Sequence, residues 1–222
     1  MAQTAKKRSY GQDCALARGS DLLGERWTLL LFRELLVRPC RFRDLAEGLE
    51  GIGSNLLAQR LRELETEGLV EKQDPGKPRS AYQLTAAGRS VEPVVLELIR
   101  WGYRHVPARP GDLHLHHWDL LAMKAMFSAD RCPGAMTVQF DSPELVAWVR
   151  VSPDGFEHGL GRADDADLVI NTSIAAFEAD VVAGVYRNDL VASRFVDCFD
   201  QRKMVPGLFT LGETDPPRSQ NR

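Results

Sequence analysis

The run from Ser54 to Val70, Ser-Asn-Leu-Leu-Ala-Gln-Arg-Leu-Arg-Glu-Leu-Glu-Thr-Glu-Gly-Leu-Val, carries the side chains best suited to meeting another molecule. Ser54, Asn55 and Gln59 put a hydroxyl and two amides near the start of a helix. An Asn or Gln amide can pair through two hydrogen bonds with the edge of adenine, a contact worth roughly 1–3 kcal/mol. Arg62 projects from the same polar face, with Thr66 one turn on. Arg60 sits about 60° from the apolar stripe, where it either braces the fold or reaches a phosphate. Leu57, Leu61 and Leu64 recur at i, i+4 and i+7 and form the buried back of this helix. With Ser54 as N-cap and no carboxylate in the first turn, the positive helix end stays open to anions. Taken alone, the segment reads first as an ordinary surface helix.

Its surroundings reverse that preference. After Gly68, residues 69–74 predict a strand, Pro75-Gly-Lys-Pro78 a turn, and residues 79–84 a returning strand. Lys72, Lys77 and Arg79 make this hairpin basic, with no acid between Pro75 and Leu84, which suits phosphate contact. Arg41 and Arg43 open the preceding helix and can grip the same backbone. Thr85 caps a further helix predicted from Ala86 to about Tyr103, striped by Val91, Val94, Val95, Leu98 and Trp101. Helix, basic hairpin and long helix follow in the order of a winged helix-turn-helix.

Upstream, Asp13 or Ser20 could cap short first helices. A helix is predicted over residues 24–37, ended by Pro39, and another over 42–49. Pro107-Ala-Arg-Pro-Gly-Asp112 has linker composition. Beyond it, residues 114–127 predict a helix, and 136–140, 145–151, 155–160 and 166–171 predict strands. Helices follow over 174–185 and 190–199, with a last strand over 208–211. The fold class expected is α+β: a winged helix-turn-helix domain over residues 1–108, then a small α+β domain with a mainly antiparallel sheet over 112–214. Residues 215–222 read as a disordered tail.

The bulk numbers agree with a DNA-directed first half. Residues 1–108 hold 17 Lys/Arg against 14 Asp/Glu, and residues 109–222 hold 11 against 17, so a mildly basic half precedes an acidic one. The longest apolar run, Leu29–Phe32, is far too short to span a bilayer, and the N-terminus has no apolar signal region. Cys14, Cys40, Cys132 and Cys198 form no C-x-x-C pair, which points to a reducing cytoplasm.

The first half resembles the HxlR family of bacterial winged-helix regulators. The carrying residues are Cys14 ahead of Leu22-Leu-Gly-Glu-Arg-Trp-Thr-Leu-Leu-Leu-Phe-Arg-Glu-Leu35, then Arg41-Phe-Arg-Asp-Leu45. They continue through Leu57, Arg60, Leu61, Leu64 and Gly68-Leu-Val70 to Tyr82, Leu84, Thr85, Gly88 and Trp101-Gly102. The resemblance implies a homodimeric repressor or activator on double-stranded DNA, dimerised through the first and last helices of the module. It also implies, for some members, a cysteine at the place of Cys14 that senses oxidants; the competing reading of Cys14 is a small buried hydrophobe. The residues beyond Trp101 resemble a sterol-carrier-protein-type fold, carried by Val138-Gln-Phe140, Asp154-Gly155 and Asp165-Ala-Asp-Leu-Val-Ile170. That likeness implies an apolar cavity, for which Trp118, Phe127, Trp148, Phe177 and Phe195 are candidate lining; the same rings would serve equally as plain core.

Asp112-x-His114-x-His116-His117-x-Asp119 has metal-like composition, but no H-E-x-x-H or i, i+4 histidine pair occurs, so it reads as a hinge with exposed histidines and no metal is expected. No cofactor is expected either. Without G-x-S-x-G, a phosphate loop or a placeable carboxylate pair, the expectation is a regulator tuned by a small apolar effector or thiol oxidation, not an enzyme. The alternative is a lipid-like ligand carrier or an enzyme with a helical appendage.

Overall fold

The computed structural model describes residues 9–77, 79–177 and 190–199. The chain divides into two compact units, residues 1–95 and 96–222, and each is taken by itself. Of the expected elements, the strand over 208–211, the tail from 215 and the part of the 174–185 helix beyond 177 lie outside the described residues.

The first unit opens with α1 (Ala15–Leu23), whose N-cap is Cys14. Asp13 does not cap it; its carboxylate accepts from Arg18 at 2.6 Å instead. Helix α2 (Thr28–Val37) starts four residues later than its pattern predicts, because Trp27 takes a left-handed conformation at φ 78° and breaks the helix there. Helix α3 (Phe42–Gly48) leads into α4 (Ser54–Thr66). Leu57, Leu61 and Leu64 are fully buried, as the i, i+4, i+7 spacing requires.

At the end of α4, Gly68 turns left-handed at φ 69°, and Leu69 N–H reaches back to Leu64 O at 2.9 Å. This closes the last carbonyls of the helix at little steric cost. Strands β1 (Val70–Lys72) and β2 (Tyr82–Leu84) pair antiparallel, Lys72 opposite Tyr82. Cys40 and Tyr82 exchange two backbone hydrogen bonds of 3.0 and 2.7 Å, which tie the start of α3 to the hairpin.

Thr85 caps α5 (Ala86–Arg89), its Oγ1 accepting from Gly88 N at 3.0 Å. A Cβ at Gly88 would stand 2.0 Å from Leu69 O, so only glycine lets α5 lie against the hairpin backbone. The single helix expected from Ala86 breaks here and resumes as α6 (Glu92–His105). Pro93 supplies the reason. It has no N–H to give the Arg89 carbonyl, and it is tolerated only in the first turn of a helix.

In the second unit a 3-10 turn (His116–Trp118) precedes α7 (Asp119–Met126), later than the predicted start at residue 114. Strands β3 (Met136–Asp141), β4 (Val146–Ser152), β5 (Gly155–Leu160) and β6 (Leu168–Ile170) form one sheet in the order β5-β4-β3-β6. Only the β3–β6 pair is parallel, so the sheet is mainly antiparallel. The alternation of β4 buries Ala147, Val149 and Val151 on one face. Phe140 lies across from Ala147 on that face and meets Phe177 at 5.5 Å and Phe195 at 6.4 Å, ring centre to ring centre. Helix α8 (Leu190–Asp197) carries Phe195, and Phe199 just beyond it meets Phe127 at 6.2 Å. On the other face, Gln139 is buried and its Oε1 accepts from Ala163 N at 2.7 Å, holding the 161–167 loop over the sheet.

Candidate nucleic-acid interface

Helix α4 keeps its polar flank in solvent. Ser54, Asn55, Gln59 and Arg62 are all exposed while the leucines opposite are buried. The N-cap is Gly53, not Ser54, which is the first helical residue. Gly53 has no side chain to cap with, and the first turn carries no acid, so the leading N–H groups keep their attraction for an anion. Gln59 is engaged, its Nε2 donating to Glu63 Oε1 at 2.8 Å. Reading a base with both amide atoms therefore exchanges that contact for one to DNA.

Arg60 is turned inward. Its side chain is 13% exposed and is clamped between Glu25 at 2.6 Å and Glu63 at 2.5 Å. Of the two roles open to it from the sequence, bracing is the one this geometry serves: it ties α4 to the loop ahead of α2. Glu63 at i+3 is a local helix pair, but Glu25 was not legible as a partner, since nothing local marks a contact across 35 positions.

The other expected cations come together. Arg41, Arg43, Lys72, Lys77 and Arg79 line a groove of about 500 Å³ with Phe42, Ser80 and Tyr82. Arg41 N donates to Asp44 Oδ2 at 2.8 Å, which fixes the start of α3, and the Arg41 side chain is exposed. Lys72 stands 5.4 Å from the centre of the Tyr82 ring across the hairpin. Lys77 is paired with Asp74 at 3.0 Å and Arg43 with Glu47 at 2.7 Å, both at exposed positions. Among the described residues no carboxylate pairs with Arg41 or Arg79. Tyr82 belongs to this groove although the sequence marked only the hairpin cations Lys72, Lys77 and Arg79; its strand register opposite Lys72 is the signal that joins it. A concave wall of five cations is a path for a phosphate backbone.

The five aromatic residues expected to line one cavity do not all meet. Phe177 and Phe195 stack at 5.7 Å inside the core, with Phe127 reaching them through Phe199. Trp148 lies on the opposite face of the sheet, because alternation along β4 sends it away from Ala147 and Val149. It rests on Gly159, where a Cβ would come within 2.6 Å of its ring, and Arg150 sits 5.3 Å from its centre. Trp118 packs instead among His114 and His117. Cys14 is exposed, which removes the buried-hydrophobe reading, and Arg18 turns to Asp13.

A leucine-backed helix with a polar outer flank, followed by a basic hairpin, defines a winged helix-turn-helix DNA-binding module. The family model described as "HxlR-like helix-turn-helix" matches residues 22–110. The chain is 35% identical over 94 residues to the HTH-type transcriptional regulator sll1512 of Synechocystis, covering 41% of this chain and 70% of that protein. It is 37% identical to the HTH-type transcriptional regulator YodB of Bacillus subtilis, covering 41% of this chain and 82% of YodB. Rv3095 of Mycobacterium tuberculosis, also an HTH-type transcriptional regulator, is 39% identical over 44% of this chain and 62% of its own length. The chain belongs to the HxlR-like helix-turn-helix family and is a DNA-binding transcriptional regulator, not an enzyme. Among the described residues no helix is long and apolar enough to cross a membrane.

Proposed function

We propose that the chain works as a homodimer that sets two α4 helices into successive major grooves of a pseudo-palindromic operator. Ser54, Asn55, Gln59 and Arg62 meet base edges, and the groove of Arg41, Arg43, Lys72, Lys77 and Arg79 follows the flanking phosphates. The observation that carries this reading is an uncovered apolar stripe. Val94, Leu98 and Trp101 lie at i, i+4 and i+7 on α6 and are 50%, 47% and 55% exposed, and Leu16 on α1 is 78% exposed. A monomer gains nothing by showing water this row, whereas a second copy would bury it. The first and last helices of the module are also those through which the family likeness implies dimerisation.

Residues 1–108 make the DNA-binding and dimerisation domain in this reading, and 112–214 an accessory domain that supports the dimer or receives an effector. Cys14, exposed at the head of a dimer helix, is the thiol that an oxidant reaches. The place of action is the cytoplasm, where the DNA is. Selection from a random duplex library with full-length protein tests the reading, together with the mass in solution by light scattering. Inverted repeats with half-sites one helical turn apart and a dimeric mass are expected. Asymmetric sites bound by a monomer would overturn it.

A further inference from the structure

The segment between α6 and α7 holds a cluster that DNA recognition does not use. His114, His116 and Asp119 each bring a ligand atom within 4.8 Å of the others. All three lie within the second unit: His114 just ahead of the 3-10 turn, His116 at its first residue and Asp119 at the first residue of α7. We infer that they form a binding site for a divalent first-row transition-metal ion of the zinc class.

Three observations carry this. Asp119 is 1% exposed, so its carboxylate is removed from water and requires a cationic or hydrogen-bonding partner. His114 Nε2 approaches it at 3.2 and 3.3 Å. Four tetrahedral ligands held about 2.0–2.1 Å from zinc stand roughly 3.3 Å from one another, so this pair already has the spacing of two ligands on one ion. Third, His116 Nδ1 is buried and has no hydrogen-bond partner among the described residues. A buried ring nitrogen left so is costly, and a metal ion drawing His116 into its coordination offsets that cost.

The donor set selects the ion. Two imidazoles and one carboxylate suit zinc, cobalt, nickel or copper, whereas calcium and magnesium favour oxygen alone. A His114–Asp119 ion pair by itself would explain the second observation and leave His116 idle. The side chain of His114 is 41% exposed, which leaves room for water or a small ligand as the fourth donor.

The test uses untagged full-length protein stripped with chelator and titrated with Co²⁺, in a Cys14→Ser background that removes the exposed thiol. Saturable ligand-field absorption at one ion per chain is expected, abolished by one equivalent of Zn²⁺. His116→Ala should weaken Co²⁺ binding by tenfold or more, on the order of what loss of a metal-supporting residue costs, with an unchanged circular-dichroism spectrum. Asp119→Asn should do the same; if that buried change unfolds the protein, His116→Ala decides. No saturable absorption, or His116→Ala binding as tightly as the parent, would overturn the site.

Discussion

Arg41 and Arg79 come from different elements and meet in one groove, and their removal tests whether that groove follows DNA. Each phosphate neutralised by a cation contributes about 0.9 to the slope of log affinity against log salt concentration. Arg43 and Lys77 already spend part of their charge on Glu47 and Asp74, so Arg41 and Arg79 are the cations most available to phosphate. Replacing both with alanine should lower the slope by about 1.8 per bound protomer, about 3.6 for a dimer engaged at both half-sites. Over a fourfold change in salt, from about 50 to about 200 mM, each contact changes affinity by about 3.5-fold and the two of one protomer by about 12-fold. The penalty of the double variant should therefore shrink about 150-fold for the dimer across that range. Fluorescence anisotropy with a mixed-sequence duplex suffices, because phosphate contact is independent of sequence. Both residues are exposed, so thermal unfolding should not move, and Arg162→Ala in the second unit should leave the slope alone. An unchanged slope in a folded Arg41→Ala/Arg79→Ala protein would refute the phosphate path.

Other outcomes follow from single contacts. Gln59→Ala should relax base preference at one position of each half-site, by roughly 1–3 kcal/mol of discrimination, in competition binding against permuted duplexes. Gly88→Ala forces a Cβ to within 2.0 Å of Leu69 O and should cost about 1–3 kcal/mol in urea unfolding. Leu98→Asp should convert the dimer to a monomer by light scattering with little change in the monomer's secondary structure, since the residue is 47% exposed in the single chain. Burial pushes the Cys40 thiol up to about 11. At pH 8 its alkylation should trail that of an ordinary exposed thiol by on the order of 100-fold, and the gap should narrow as pH rises toward that value.

The sequence by itself determined what depends on neighbours a turn or two away. The leucine back of α4, the stop at Gly68, the Thr85 cap and the basic hairpin tip are local patterns, and each stands where its spacing puts it. Strand alternation likewise marked the sheet of the second unit, although the ends of β4 and β6 shifted by one or two residues. The break before α6 was also written locally, in Pro93, but the valine stripe running through it read as one continuous helix. Tertiary structure decided the rest, because partners distant along the chain leave no local trace. Only folding turns Arg60 to Glu25, sets Arg41 beside Arg79, and puts Trp148 on the far face of the sheet from Phe177. The histidines ahead of α7 show the same division: composition named them, and the turn that buries Asp119 gave them a common centre.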